Sequence, residues 1–396
     1  MKLKVLDTFA GAGGFSLGFQ LSDYYDIVGA IELDEWAAAT FQYNHPAANV
    51  IVKNILDVTN DELKEKFSGI DVLLGGPPCQ GYSICNKNAG DPKDPRNSLF
   101  KEFLRVATVL SPSVVIMENV PNLLKAQTEN KEFVVSIIKK ELEQLGYHVE
   151  YQVMDATNYG VPQIRKRIVI IGSKKRLLSF FPSPTHTLKK EGLGLFDEVQ
   201  ELQLCPTLWE AISDLPQIKA CEGEEVMDYN CPPNSWYQQL MRIGSEKVFN
   251  HVAMNHSKRM IERFAAMRCG QSTEDVPDEF KPLKRNGNGE KSDKVYGQNN
   301  RRMFPDRPCH TIAASFYANF VHPFLTRNFT PREGARIQSF PDWYKFMGKP
   351  TTPSKSLLKK EGRLNDIHLC QYNQIGNAVP PLMSKAIALN IYRQLC

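Results

Sequence analysis

The sequence lacks the features that mark membrane, secreted and zinc-binding proteins. No apolar stretch in its 396 residues approaches bilayer-spanning length, and a strand pattern starts where a signal peptide would stand. Its nine cysteines are odd in number and scattered, and none forms a CxxC pair. This usage is typical of reduced thiols and predicts neither a disulfide framework nor a metal site. We therefore expect a soluble cytoplasmic protein.

A strong net charge is also missing, because the formal charge is only +4. The charge is unevenly distributed, however. The stretch 191–235 contains ten acidic residues and one base, whereas 241–309 contains fourteen Lys or Arg and nine Asp or Glu. A polyanion would avoid the first stretch and favour the second, although two solvated surfaces would have the same composition.

The first 172 residues alternate strand-like and helix-like patterns. The predicted strands are 4–7, 27–31, 49–52, 71–74, 113–117 and 168–172, and the predicted helices are 15–21, 34–44 and 133–145. This alternation predicts a doubly wound α/β sheet, in which ligands bind at the carboxyl ends of the strands.

The pattern breaks down from 173 to about 305, where Pro, Gly, Asn and charged residues are frequent. That length is too great for a loop and predicts a second, smaller and irregular domain. We place the domains at 1–178 and 179–368, with 369–396 returning to the first.

One predicted strand ends in a rigid loop that carries a thiol. The apolar run 71–74 leads into Gly75-Gly76-Pro77-Pro78-Cys79. Two prolines make the turn stiff, so the cysteine would stand at its tip. A buried cysteine beside a tight turn is the commoner arrangement, so the neighbouring motifs must decide.

Glycine-rich residues 7–15 separate the first strand from the first helix, a place where the backbone approaches a ligand closely. Glu32 ends the second strand, where an acid accepts hydrogen bonds from ribose, and Asn54-Ile55 follows the third. An adenosine-bearing cofactor is indicated, either a nicotinamide dinucleotide or S-adenosylmethionine. Pro-Pro-Cys at the next strand end, instead of a histidine, favours the methyl donor.

Two further strand ends carry charged groups. Glu118 directly follows an apolar strand, and alternation would put Gln163, Arg165 and Arg167 on one face of another. Two guanidinium groups there could converge on a carbonyl, a carboxylate or a phosphate, although a solvated strand would look similar.

Taken in order, these stretches resemble the motifs of the DNA (cytosine-5) methyltransferase family. The matching segments are 7–14 for the cofactor loop, 76–83 for the nucleophile motif, 118–120 for the ENV motif and 163–167 for the QxRxR motif. Residues 307–312 match the penultimate motif, 330–333 the segment that follows it, and 376–380 the last motif. The resemblance implies a Rossmann-like S-adenosylmethionine-dependent methyltransferase domain with a target-recognition domain in the irregular region.

The resemblance also implies site residues. Cys79 would attack C6 of a flipped-out cytosine and Glu118 would engage N3, with Arg165 and Arg167 completing the catalytic group. S-adenosylmethionine, which leaves as S-adenosylhomocysteine, would contact Phe9, Gly11, Gly13, Gly14, Glu32, Leu33, Asn54, Ile55, Pro78, Asn377 and Ala378. Two of these residues depart from the family pattern: Asn54 stands where many members carry an Asp, and Leu33 where some carry an aromatic residue.

The expected DNA-binding residues are Gln80, Ser83, Gln163, Arg242, Arg285, Arg301 and Arg302, and the segment 80–97 is expected to close over the extruded base. Double-stranded DNA is the expected partner of a monomer in the prokaryotic cytoplasm, associated with the nucleoid and paired with a restriction endonuclease. A tRNA cytosine-5 methyltransferase, a catalytically silent DNA-binding module and a dehydrogenase are the alternatives.

Overall fold

The computed structural model describes residues 2–78, 99–128, 130–188, 202–284 and 299–396. Within these ranges the strands are β1 (Leu3–Thr8), β2 (Tyr25–Glu32), β3 (Asn49–Val52), β4 (Val72–Gly75), β5 (Val114–Asn119), β6 (His148–Asp155), β7 (Gln163–Ile164), β8 (Lys166–Ser173), β9 (His186–Thr187), β10 (Gln203–Leu204), β11 (Gly223–Asp228), β12 (Lys247–Val252), β13 (Arg301–Arg302), β14 (Cys309–His310) and β15 (Phe320–Val321). The α-helices are α1 (Gly14–Gln20), α2 (Glu35–Asn44), α3 (Asn60–Phe67), α4 (Leu99–Leu110), α5 (Val134–Gln144), α6 (Leu208–Ile212), α7 (Trp236–Arg242), α8 (Lys258–Ala265), α9 (Pro331–Ile337), α10 (Lys355–Lys360), α11 (Gln371–Asn377) and α12 (Pro381–Leu395).

The chain divides into two compact units. Unit 1 consists of Met1–Gly160, Arg165–Leu204 and Ala378–Cys396, and unit 2 consists of Val161–Ile164 and Cys205–Asn377. The domain boundaries proposed from the sequence stay predictions.

Unit 1 contains a seven-stranded sheet in the order β3-β2-β1-β4-β5-β8-β6. The strands from β3 to β5 are parallel, whereas β8 runs antiparallel to both β5 and β6. The strand order reverses between β1 and β4, which makes the carboxyl ends of these two strands the switch point where ligands bind in such folds. The predicted α/β class is confirmed.

Continuous apolar runs form the central strands because both faces of the sheet are covered. Val72, Leu73 and Leu74 of β4 are fully buried. Leu73 packs with Phe103 of α4 and Val115 of β5 in the main core of the unit. The core therefore lies directly below the strand ends that carry the site.

Helix α12 packs on α1. Ser384 Oγ donates to the carbonyl of Phe15 at 2.6 Å, and Tyr25 Oη donates to the carbonyl of Ala388 at 2.9 Å. Gly18 permits the close approach, since a Cβ there would lie 2.3 Å from that of Ser384. Helix α12 therefore packs directly against α1 and fixes its position in unit 1.

Unit 2 has short strands and a core that contains charged side chains. Its small sheets pair β11 with β12, β13 with β15, and β14 with β7. Helix α9 begins with a capping box between Thr330 and Glu333. Arg332 and Arg336 of this helix are fully buried. The core of unit 2 therefore contains buried ion pairs beside apolar side chains.

No helix in the described part of the chain is long and apolar enough to span a membrane.

Candidate active site

The loop after β1 turns through left-handed backbone at three positions. Phe9, Gly11 and Gly13 have φ values of 57°, 55° and 83°. Gly14 then begins α1, and the N–H of Gly13 donates to the carbonyl of Ala10 at 2.9 Å. Among the described residues other than Gly11 and its chain neighbours, no heavy atom lies within 4 Å of where a Cβ of Gly11 would be, so the loop leaves open space at this position.

Glu32, the last residue of β2, ties that loop to the neighbouring strand. Its carboxylate accepts the N–H of Gly11 at 2.7 Å and the N–H of Asp34 at 2.8 Å. Burial raises the pKa of Glu32, and these hydrogen bonds act against the rise. The carboxylate is therefore held at the rim of the open space by two backbone donors.

Asp7 is a charged neighbour that the sequence analysis did not single out. Its carboxylate accepts a hydrogen bond from Ser16 Oγ at 2.7 Å. Burial raises the pKa of Asp7 to about 7, the hydrogen bond from Ser16 lowers it, and nearby Glu32 raises it. In the sequence, the signal that could have identified Asp7 is its place shortly before a glycine-rich loop. The contact links the end of β1 to the first turn of α1.

The remaining predicted cofactor residues of unit 1 differ in exposure. Leu33 is 65% exposed, whereas Ile55 is buried. Asn54 Oδ1 accepts the N–H of Leu56 at 3.2 Å and so caps a short 3-10 turn. Pro78 is half-buried.

Glu118 lies at the end of β5 near Arg165, which directly precedes β8, and Arg167, the second residue of β8. Arg167 Nε is 2.8 Å from Glu118 Oε1, and Glu118 is buried. Burial raises the pKa of Glu118, while the positive charges of Arg167 and Arg165 lower it. Buried Arg165 also donates to the carbonyl of Ala378 at 3.1 Å. Glu118 therefore lies in the positive field of both arginines and is ion-paired with Arg167.

Strand β4 brings the start of the nucleophile motif next to Glu118. A Cβ on Gly76 would lie 3.5 Å from Glu118 Oε2. Asn119 Nδ2 donates to the carbonyl of Pro77 at 2.9 Å. Cys79, Gln80, Ser83 and the segment 80–97 lie outside the described residues, as does Arg285.

Gln163 is not on one strand face with the two arginines. The strand is interrupted at Arg165, so that Gln163 in β7 pairs with β14 of unit 2 while Arg167 in β8 belongs to the sheet of unit 1. Gln163 is fully buried, and its Oε1 accepts the N–H of Ile312 at 2.9 Å. The side chain is bonded inside unit 2 in this structure, and its contact with DNA stays a prediction.

Two predicted DNA-reading arginines are likewise occupied inside unit 2. Arg302 is 5% exposed and donates to the carbonyls of Phe264, His322, Pro323 and Leu325. Arg242 lies over the ring of Tyr229 at 3.5 Å and pairs with Asp214 at 3.2 Å. Both guanidinium groups face their own unit. Both are bonded to their own unit in this structure, and their contact with DNA stays a prediction.

Arg301 and Asn377 are more accessible. Arg301 is half-buried in β13, next to the buried Arg302. Asn377 is exposed at the end of α11, after Gly376, where a Cβ would lie 2.2 Å from the carbonyl oxygen of Ala313.

Comparisons with known proteins agree on one family. The family model for C-5 cytosine-specific DNA methylases matches residues 3–393. The type II methyltransferase M.DdeI of Desulfomicrobium norvegicum is 46% identical over 98% of this chain and 88% of that protein. M1.HphI of Haemophilus parahaemolyticus is 32% identical over 98% of this chain and 86% of its own. The fold matches a crystal structure of a prophage-encoded protein (E. coli) assigned as a DNA modification methyltransferase, with a TM-score of 0.72, 24% identity and coverage of 100% and 99% of the two chains. The chain belongs to the C-5 cytosine-specific DNA methylases and is a DNA cytosine-5 methyltransferase.

Proposed function

We propose that the protein transfers a methyl group from S-adenosylmethionine to C5 of a cytosine flipped out of double-stranded DNA, through a covalent bond between Cys79 and C6. The observation that carries the proposal is the placing of buried Glu118, with its arginine partners, beside the strand end that leads to Cys79. Specific double-stranded DNA is the proposed substrate.

The residues around the switch point fit an adenosine-bearing methyl donor. The left-handed loop at Gly11 and Gly13 leaves open space, and Glu32 presents a carboxylate at its rim. We assign ribose recognition to Glu32, and a flanking role to Phe9, Pro78 and Ala378. The bound donor supplies an electrophilic methyl group.

Glu118 supports the activation of the ring. Burial raises the pKa of this carboxyl, so that it is suited to share a proton with N3 of the base. Arg167 fixes one oxygen of the carboxylate, which leaves the other directed toward the side of Gly76. Arg165, held by the carbonyl of Ala378, adds positive charge near the same place.

The chemistry needs a nucleophile because C5 of cytosine is not reactive enough alone. The Cys79 thiolate adds to C6 and forms a carbon–sulfur bond while Glu118 stabilises the proton on N3, so that C5 gains enamine character and accepts the methyl group. Loss of the C5 proton and elimination of the thiolate restore the aromatic ring. Extruding the base from the stack costs a few kcal/mol.

Covalent trapping tests this proposal. A fluorine at C5 cannot leave as a proton, so DNA copied with 5-fluoro-dCTP should form an adduct with the wild-type protein that survives denaturation. The Cys79→Ala variant should form none, whereas the control Cys396→Ala, which changes an exposed cysteine, should match the wild type. Full methyl transfer by Cys79→Ala would refute the mechanism.

The Glu118→Gln variant separates chemistry from binding. It should lower the maximal methylation rate by roughly 10²-fold while leaving DNA affinity nearly unchanged, because the carboxyl acts on N3 in the transition state. A parallel assay with tRNA tests the alternative substrate on the same scaffold. Methylation of tRNA in preference to DNA would overturn the proposed substrate.

We propose that Arg301, Arg285, Gln80 and Ser83 contact the DNA. Arg301→Ala should weaken DNA binding and reduce its salt dependence, because a phosphate or base-edge contact is lost. Bisulfite mapping of methylated random-sequence DNA would identify the recognised sequence.

The type II names of two relatives favour a cellular role beside a restriction endonuclease. We infer that the protein is the modification partner of such a system, acts as a monomer and works at the bacterial nucleoid.

A further inference from the structure

Asn119 ends β5 one residue after Glu118 and uses both ends of its side-chain amide. Its Nδ2 donates to the carbonyl of Pro77 at 2.9 Å, and its Oδ1 accepts the N–H of Val120 at 2.8 Å. The residue is 6% exposed. These two bonds fix the orientation of the side-chain amide, so that its NH2 group points toward the loop after β4.

The register of the sheet explains why this bond exists. Strands β4 and β5 pair in parallel up to Gly75 opposite Met117. Continued by two residues, the same register places Pro77 opposite Asn119. Pro77 and Pro78 have no N–H group, so the ladder of backbone bonds cannot continue through them. The amide of Asn119 supplies the link between the strands at the point where the backbone cannot.

We propose that Asn119 is a positioning residue for the methyl-transfer reaction, which holds the Pro77 carbonyl in register with β5 and thereby sets the direction in which the chain leaves β4 toward Cys79. This inference rests on the proposed function. Asn119 does not touch the reacting atoms. It holds Pro77, which precedes the nucleophile, in register with Glu118, since Asn119 and Glu118 are neighbours at the end of β5.

The Asn119→Asp variant tests the donor with almost no change of shape. An aspartate keeps the acceptor for Val120 but turns a carboxylate oxygen toward the carbonyl of Pro77, where two acceptors repel. At pH 8 the rate of methyl transfer under saturating substrates should fall by roughly 10- to 100-fold, as expected for a displaced nucleophile. The KM for DNA should change little.

The pH dependence of the same variant identifies the cause. When the introduced carboxyl takes up a proton it becomes a donor again, and burial raises the pKa of such a carboxyl toward the neutral range. The ratio of variant to wild-type rate should therefore rise as pH falls from 8 to 6. The Asn119→Ala variant should also be slow, yet its ratio should stay flat, because alanine has no group to protonate.

Tyr147→Phe is the matched control. Tyr147 Oη donates to the carbonyl of Pro112 at 2.7 Å, which is the same kind of bond to a proline carbonyl but before the start of β5. Its rate relative to wild type should remain near one and independent of pH. The rates are measured with tritiated S-adenosylmethionine and a phage lambda DNA fragment. Covalent adducts are measured with the same fragment copied with 5-fluoro-dCTP.

The outcomes separate the two proposals. Absence of an adduct and of methyl transfer with the wild-type protein would count against the proposed function. An active wild type with an equally active Asn119→Asp variant, or with a slow variant whose rate ratio is flat with pH, would overturn the role of Asn119. A slow Asn119→Asp variant with a rate ratio that rises on acidification supports it.

Discussion

Replacing Arg336 with methionine should strongly destabilise unit 2. The guanidinium of Arg336 is fully buried and bonds both oxygens of Asp342 at 2.6 Å. It also bonds Asp214 Oδ1 at 3.0 Å and the carbonyl of Ala211 at 2.9 Å. Methionine fills much of the same volume and removes every donor. Two buried carboxylates would then lose their central partner.

The size of the loss follows from which partners remain. Removing one member of a buried ion pair typically costs about 3–5 kcal/mol, because the other charge stays desolvated. Arg242 still lies 3.2 Å from Asp214, and Arg332 lies 3.8 Å from Asp342. These cations offset part of the cost, so we expect a loss near the lower limit, about 3 kcal/mol.

The loss should also depend on pH. Burial alone would raise the pKa of Asp342, but Arg336 and Arg332 hold it below its usual value. Without Arg336 the pKa of Asp342 rises, and a neutral carboxyl costs less to bury than a charged one. The difference in unfolding free energy between the variant and the wild type should therefore be smaller at pH 5 than at pH 8.

Urea unfolding followed by tryptophan fluorescence measures this loss. Three of the four tryptophans, Trp209, Trp236 and Trp343, lie in unit 2. The control is Arg363→Met, which removes an arginine that pairs with Glu361 at 3.0 Å on the surface. Exposed pairs contribute little, so this variant should unfold like the wild type. A loss below about 1 kcal/mol for Arg336→Met would refute the reasoning, since surface pairs reach that value.

Two further predictions concern the cofactor loop and acid stability. Glu32→Gln replaces a carboxylate oxygen that accepts the N–H of Gly11 or Asp34. The KM for S-adenosylmethionine, measured by initial rates, should therefore rise about tenfold with little change in kcat. An unchanged KM would refute the assignment of Glu32 to the cofactor site. His251 is buried, and burial lowers its pKa to about 4, with Glu333 acting to raise it. The unfolded chain therefore binds the proton first, and stability should fall by about 3 kcal/mol as pH drops from about 6.5 to 4. The unfolding free energy of His251→Asn should fall less steeply over this range, and equal slopes would contradict the prediction.

The sheet of unit 1 could be predicted where its strands are buried on both faces. The run Val72-Leu73-Leu74 is apolar throughout because no residue of it reaches water, and such runs are visible in the sequence. Strand β6 was missed, because it lies at the sheet edge and exposes Tyr151 and several polar residues. Its antiparallel pairing with β8 depends on distant parts of the chain, which no local pattern reports.

The site could be predicted in part. Glu118 and Arg167 stand out as charges at strand ends, and the structure brings them together. The contact of Asn119 with Pro77 requires knowledge that β4 and β5 are neighbours in a given register. Arg302 shows the opposite failure, since an arginine in a basic stretch indicates a surface residue and this one is buried against carbonyl groups. Composition describes the average environment of a residue type, and a buried arginine is an exception that only its partners explain.

The packing of α12 on α1 has a consequence for the synthesis of the protein. The carbonyl of Phe15, just after the glycine loop, accepts a hydrogen bond from Ser384. The contacts of α1 are therefore completed by residues that the ribosome adds more than 360 positions later. We therefore expect the loop that precedes α1 to reach its final packing only after α12 has been synthesised. Methylating activity should therefore begin only on release, and prematurely terminated chains should be inactive and open to proteolysis.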